Sequence, residues 1–368
     1  MALAIAFWSW PLSSVDMGTF LLPWFAHIRE TGALGAFAVP FSNYTPPYLY
    51  LLALAQPLGE STSAFDAIKT VSFVGHMLLL ASVFRLLQAA GHRQPWRAAA
   101  LIAVAPTLFV NPAVLAQCDA YWAAAVTMAL AAAVHRRHLA MFAWCGLAVA
   151  LKAQAAFVAP FFLALAIARH VPIRMWLVAP LTAALCMVPA WLAGWPAADL
   201  LTIYLRQTQW ESALALNAPN VWMLIQTLGG GSTAALGAAA TGGAIIASAA
   251  FVGVFARRLD TVDAEHLLRI ALLCTLIVPG LLPRMHERYF FLGDVLALVL
   301  VAIRPADWRL GLLTQAGSGL AILAYMTGLA GLACVGAAAM ILATWFLARS
   351  ISPIWQAAAR SSNVAISA

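Results

Sequence analysis

Four ionisable residues crowd into five positions at Arg284, His286, Glu287 and Arg288, within the run Pro283-Arg284-Met285-His286-Glu287-Arg288-Tyr289-Phe290. If this run is helical, Arg284 and Arg288 share a face at i, i+4. Two guanidiniums on one face can clamp a phosphate through several charge-assisted bonds. His286 adds a donor, and Glu287 can orient an arginine. The alternative is an interfacial salt-bridge network. Asp16, in Ser13-Ser14-Val15-Asp16, is an isolated carboxylate at the end of the first apolar stretch. It suits a general base that takes the proton of an attacking hydroxyl, or a helix-end residue solvated by head groups. Asn111-Pro112 and Gln117-Cys118-Asp119 place amides and a carboxylate between two apolar segments. Such groups need partners, and either sugar hydroxyls or a helix-pinning network supplies them. Lys152 and Gln154 interrupt a long apolar run, where an ammonium needs an anion. Both Asp119 and a lipid phosphate qualify, and the phosphate is the preferred reading.

The elements that must position these groups are membrane helices. Of 368 residues, 64% are hydrophobic and only 9% charged, more apolar surface than a soluble domain can hide. The apolar stretches fall at about 2–14, 46–59, 67–90, 98–112, 120–134, 139–151, 153–168, 175–193, 234–256, 267–282, 290–303, 311–328 and 331–348, so the bilayer is the solvent for most of the chain. The expected fold is an all-α polytopic membrane bundle of about 11–13 transmembrane or half-membrane helices, forming a single integral membrane domain over 1–368. Within it, 1–303 is the expected catalytic module and 304–368 the C-terminal helices. Segments 46–59, 139–151 and 153–168 are short for a full crossing; the last two read as half-helices meeting near Lys152. Ala2 to Leu12 has no charged region before it, so no cleavable leader is expected. Its shortness implies a start further upstream or a short, tilted helix.

The net charge of +7 is spread over short loops. It reads as topology, and no nucleic-acid partner is expected. Placing Arg93, Arg97, Arg136, Arg137, Arg169, Arg174, Arg257, Arg258, Arg269, Arg304, Arg309, Arg349 and Arg360 in the cytoplasm puts four segments outside: Asp16 to Tyr44, Asn111 to Asp119, Trp195 to Trp222, and Pro283 to Tyr289. Six basic residues then fall outside or at membrane depth: Arg29, Lys69, Lys152, Arg206, Arg284 and Arg288. An anionic lipid head group is a natural partner for them. The stretch Phe20-Leu21-Leu22-Pro23-Trp24-Phe25 suits an interfacial helix. Arg206, Gln207, Gln209, Trp210, Glu211, Asn217 and Asn220 are candidates to shape an acceptor cleft. The five cysteines fit neither a metal site nor a disulfide framework.

A carboxylate at Asp16 and cations at Arg284 and Arg288 are the parts needed to transfer a sugar from a polyprenyl-phosphate lipid. The leaving group is already an anion, so cations receive it and a base deprotonates the acceptor. A single displacement inverts the anomeric centre. The motifs Asp16, Phe41-Ser42-Asn43-Tyr44-Thr45-Pro46-Pro47-Tyr48, Asn111-Pro112 with Gln117-Cys118-Asp119, Lys152-Ala153-Gln154 and Met285-His286-Glu287-Arg288-Tyr289-Phe290 together resemble the GT-C superfamily. The likeness is greatest to bacterial relatives of GPI mannosyltransferase II and the dolichyl-phosphate-glucose glucosyltransferases, and runs from about residue 14 to 300.

The resemblance implies a first outer loop with interfacial helices and an inverting hexosyltransferase, with mannose or glucose as the sugar. By similarity Asp16 matches the catalytic carboxylate. Arg284, His286, Arg288 and Lys152 fall to the donor phosphate, and Tyr44, Asn111, Gln117, Asp119, Gln154 and Glu287 to sugar and acceptor. No cofactor and no metal are expected. The partners are the polyprenyl-phosphate sugar, a glycolipid or glycan acceptor and membrane lipids. The expected location is the cell inner membrane, with the site facing the exterior. Two departures stand out: the family's Lys-Pro-Gln is Lys152-Ala153-Gln154, and Ala116 replaces the glycine often found before Gln117. A transporter or flippase of lipid-linked saccharide, or a membrane acyltransferase, is the competing reading. A transporter favours repeated halves and midplane charges.

Overall fold

A computed structural model describes residues 10–207, 213–229 and 234–366, with side chains to 351. In chain order the helices are α1 (Leu22–Thr31), α2 (Pro46–Leu54), α3 (Ala64–Ala89), α4 (Pro95–Ala103), α5 (Asp119–Val134), α6 (His138–Leu151), α7 (Ala159–Ala168), α8 (Val178–Leu192), α9 (Ala197–Gln207), α10 (Val221–Thr227), α11 (Ala234–Phe255), α12 (Ala264–Leu281), α13 (Phe291–Ile303), α14 (Trp308–Thr327) and α15 (Ala330–Ile366), with shorter helical turns between some of them. Among the described residues six helical spans are long and apolar enough to cross a bilayer, or seven if one bent pair counts as a single span, and four shorter helices of 10–17 residues are also apolar. The chain is thus an all-helical, multi-pass membrane protein. The first apolar stretch lies mostly in 1–9, outside the described residues.

Two expected segments break into pieces. The stretch 98–112 is α4 followed by Pro106–Leu115, bent by 63°. Pro106 removes an N–H and holds Ala105 extended (φ −61°, ψ 137°), so the helix cannot run through. The stretch 46–59 is likewise two short helices, α2 and Gln56–Ser61. Near Lys152 the helix breaks: α6 ends at Leu151, Lys152 is extended (φ −162°, ψ 141°), and helical turns resume at Ala153.

The chain forms two compact units. The first contains Met1–Ala156 and His170–Ser212. Its centre is α5, packed between α3 and α6, with α8 on the far side of α6. Small residues set these distances. A Cβ on Gly75 of α3 would lie 2.5 Å from the Tyr121 ring of α5, whose hydroxyl donates to the Val71 carbonyl at 2.6 Å. Burial of α5 is nearly complete, because Ala-rich turns let its neighbours approach from all sides.

The second unit contains Phe157–Arg169 and Ala213–Ala368. α14 and α15 form its tightest pair, where a Cβ on Gly336 would come 2.6 Å from the Gly317 carbonyl. α12 packs on α11, α13 and α15. Arg269 of α12 is buried and bonds Glu265 and Asp307 as well as Ser350 Oγ at 3.2 Å, tying α12 to the start of α14 and to α15. A two-residue parallel strand pair joins β1 (Ala215–Leu216) to β2 (Met285–His286), with Ala215 opposite Met285.

Candidate functional site

Within the first unit a continuous polar network runs from Asp16 to Lys152. Asp16 is half-buried and opens the π-helical turn Met17–Leu21. Gln117 Nε2 donates to Asp16 Oδ2 at 2.9 Å, and Tyr44 Oη donates to Gln117 Oε1 at 3.1 Å. The Tyr44 ring also lies under Lys152, whose Nζ is 5.2 Å from its centroid. Lys152 Nζ donates to Asp119 Oδ1 at 2.6 Å. Asp119 further accepts from Asn111 Nδ2 at 2.9 Å and from Trp122 Nε1 at 3.1 Å. Both members of the ion pair are buried, at 6% and 1% exposure. A charge pair taken out of water survives only with such supporting bonds.

The backbone explains how these groups meet. The turn Asn111–Leu115 ends in Ala116, which adopts the left-handed conformation (φ 53°, ψ 35°). This reverses the chain so that Gln117 and Asp119 face back towards Asn111. It also accounts for the glycine often found there in the resembling family, since an L-residue is strained in that region. Lys152 enters the network because α6 stops one residue earlier. Asn111 Oδ1 and Gln154 Oε1 are buried acceptors without a hydrogen-bond partner among the described residues. Unmet acceptors among buried amides are what a ligand rich in hydroxyls would satisfy.

The segment leading to Asp16 is held by a residue the sequence reading assigned elsewhere. Lys69, taken there as an outer-side cation with a lipid anion as partner, is buried in α3 and gives its three hydrogens to backbone carbonyls. They belong to Trp10, to Leu12 and, at 2.7 Å, to Ala113. Ser14 Oγ adds a bond to the Leu115 carbonyl at 3.3 Å. The approach to Asp16 is thereby stitched to the turn that carries Gln117. Trp122, also missed, was discoverable as the residue three after Asp119 on one helix face.

In the second unit the His286 segment differs from its expected shape. It is not helical, so Arg284 and Arg288 do not share a helix face. Arg284 has φ 63°, its N–H donates to the Leu214 carbonyl at 2.7 Å, and Met285–His286 pairs as a strand. Pro283 precedes the run, and a strand partner some seventy positions earlier captures it. Asn220 and Trp222 secure that partner: Asn220 Nδ2 donates to the Pro279 and Leu282 carbonyls, both at 3.2 Å, and Trp222 Nε1 to Leu281 at 2.6 Å. Asn220 is therefore a positioning residue for this segment. Gln209, Trp210 and Glu211 lie outside the described residues.

Glu287 is fully buried. It accepts from Arg288 Nη1 at 2.7 Å, and His286 Nδ1 lies 3.7 Å from its other oxygen. Burial alone would raise its carboxyl pKa, but the Arg288 guanidinium and the His286 ring outweigh that and hold it at about 2. Glu287 is thus held as an anion against Arg288. Arg288 is nearly buried, and the Arg284 side chain lies along α11, its Nη2 3.6 Å from the Cβ position of Gly237.

No family model matches the chain, and no curated protein matches it. Among solved structures, the crystal structure of ArnT from Cupriavidus metallidurans bound to undecaprenyl phosphate is similar over 93% of this chain and 74% of that one, with a TM-score of 0.55 and 14% identity. At that identity the likeness shows the fold alone, a polytopic all-helical membrane fold.

Proposed function

We propose that this chain is an inverting glycosyltransferase. It moves a hexose, mannose or glucose, from a polyprenyl-phosphate carrier to a hydroxyl of a glycolipid or glycan acceptor, on the outer face of the cell inner membrane. The observation that carries this reading is a half-buried carboxylate, Asp16, fixed by Gln117 at 2.9 Å, in a unit where the buried amide oxygens of Asn111 and Gln154 have no partner among the described residues. A fold shared with a protein solved with undecaprenyl phosphate supports a lipid-phosphate donor.

In this mechanism the acceptor hydroxyl gives its proton to Asp16 as its oxygen attacks the anomeric carbon. The bond from that carbon to the phosphate oxygen breaks, and the polyprenyl phosphate leaves as an anion. A stable anionic leaving group needs cations rather than a general acid, and Arg284, His286 and Arg288 are assigned to it. Tyr44, Asn111, Gln117 and Gln154 offer a sugar the mixture of donors and acceptors its hydroxyls require. Lys152 is paired with Asp119 beside these amides, and its ammonium is the group assigned to the donor phosphate from that side.

The test is transfer of radiolabelled sugar from polyprenyl-phosphate mannose or glucose in membranes containing the full chain. Asp16→Asn should lower kcat by roughly 10²-fold or more, the range of a lost general base. Unchanged activity in that variant removes Asp16 as the base. Movement of a lipid-linked saccharide across the bilayer with no transfer would favour the transporter reading instead.

A further inference from the structure

Beside the Asp16 network, in the same unit, lies a cavity of about 320 Å³ that none of the steps above uses. It is at the small end of the roughly 300–1,000 Å³ typical of ligand pockets. Phe20, Trp24, Phe41 and Trp195 form its apolar walls, and Asn43, Arg206 and Gln207 bring polar groups to it. The aromatic walls are fixed against one another: Phe20 and Trp24 have ring centroids 5.8 Å apart, and Phe41 and Trp195 also 5.8 Å. Trp195 is 1% exposed, yet its Nε1–H has no acceptor among the described residues. Asn43 Oδ1 is a buried acceptor with no donor among the described residues. Two of the residues that line the cavity thus each carry a buried polar atom with no partner among the described residues. Unpaired buried polar atoms are costly, so their survival calls for an explanation.

The cavity borders the proposed chemistry. Its Trp24 wall packs on Tyr44 with centroids 5.0 Å apart, and Tyr44 holds Gln117, which holds Asp16. Gln207 Nε2 donates to the Asn43 carbonyl, closing the floor next to Tyr44. Arg206 keeps its charge balanced by Asp199 at 2.7 Å, so the cavity offers an incoming anion no unpaired cation. Aromatic faces with isolated hydrogen-bonding groups, and no free charge, match a neutral sugar ring: its C–H face lies on the rings and its hydroxyls meet the polar side chains of the lining, Asn43 and Gln207.

We infer that this cavity is a subsite for a neutral pyranose ring of the acceptor glycan. It rests on the transferase reading for its role, but its ligand chemistry stands on the cavity alone. Trp195→Phe keeps an aromatic face but removes the pyrrole ring with its N–H, so at this buried position it opens a small void. The melting temperature should fall, and the shortened wall should weaken glycoside binding about three- to tenfold. Phe20→Ala, at a half-exposed wall residue, is the second variant and should weaken binding similarly without touching the buried core.

The full chain, in nanodiscs free of sugar detergents, is probed by saturation-transfer NMR with methyl α-D-mannopyranoside and methyl β-D-glucopyranoside. Signals on the unmodified protein that fall in both variants, with the acceptor KM raised and the donor KM unchanged, support the subsite. Equal signals in all three proteins overturn it. Absence of signal from a preparation that still transfers sugar overturns the subsite and leaves the transferase standing. Signals that follow the variants in a protein with no transfer activity keep the subsite and sink the transferase. Quenching of tryptophan fluorescence by bromine-labelled acyl chains, with no glycoside signal, makes the cavity a lipid contact and also overturns it.

Discussion

Lys69 and Lys152 have the same signature in the sequence, a lone lysine in an apolar run on the side away from the arginine-rich loops. Their surroundings are opposite. Lys69 is capped by three backbone carbonyls, with the Phe65 ring 4.8 Å away, and works as a staple. Lys152 faces the carboxylate of Asp119 inside a network of amides and a tyrosine. Carbonyl dipoles can take the place of water around an ammonium without neutralising it, and doing so fixes the backbone that supplies them. A carboxylate cancels the charge and leaves polar groups around the pair available to a ligand. A buried lysine therefore marks a polar neighbourhood, while its partners decide whether the neighbourhood is structural or chemical.

The largest effect that would break this contrast is at the carboxylate pair. Asp119→Asn leaves Lys152 buried with no anion and should cost about 3–5 kcal/mol. Adding Lys152→Met should return much of it, read by thermal unfolding in nanodiscs. A double variant no more stable than the single one would mean the two charges are not coupled.

A second carboxylate pair sharpens the comparison through pH. Glu287 has its carboxyl held at about 2 against an ordinary 4.5. Its contribution is therefore complete above about pH 4.5 and fades as pH falls towards 2. Glu287→Gln should lose stability on the order of 3 kcal/mol at pH 7, with the two proteins converging in acid. A constant gap from pH 7 to pH 3 would show that the carboxylate charge is not what stabilises the segment.

Lys69→Met should cost about 2–3 kcal/mol, because three buried carbonyls lose their donor and only partly relax. Through the Ser14 and Leu115 contact it should also lower kcat with little change in either KM, which a sugar-transfer assay resolves. A change confined to KM would place Lys69 at a substrate instead. The smallest effect is at Ala116. Ala116→Gly should stabilise by up to about 1 kcal/mol, because glycine occupies the left-handed region without strain, offset by a looser unfolded chain. Destabilisation there would mean the Ala116 methyl packs usefully.

Much of the fold was legible because lipid leaves few options. Apolar runs with small residues read as helices, and most of the expected segments appear near their expected bounds. Lys152 between two half-helices was visible from its charge, and Asp119 was one of two partners that chemistry allowed. The break at Pro106 was hidden although the proline was in view, since prolines at the first turn of a helix and prolines that break one look alike in sequence. The His286 segment carries an i, i+4 pair of arginines that would share a face only in a helix, and its strand pairing is not legible from those residues. Nothing local announces that a strand seventy residues earlier will pair with it.

The order of amino acids by itself determined that this chain lives in a membrane, where its helices lie, and which scarce ionisable groups must find partners, because each of those follows from the cost of exposing polar atoms to hydrocarbon. Only the tertiary structure decided which partner each group took: carbonyls for Lys69, a carboxylate for Lys152, Gln117 for Asp16, Glu287 for Arg288. The reason is that hydrogen bonds act over a few ångströms, and residues a hundred positions apart reach that distance only once the helices between them have packed.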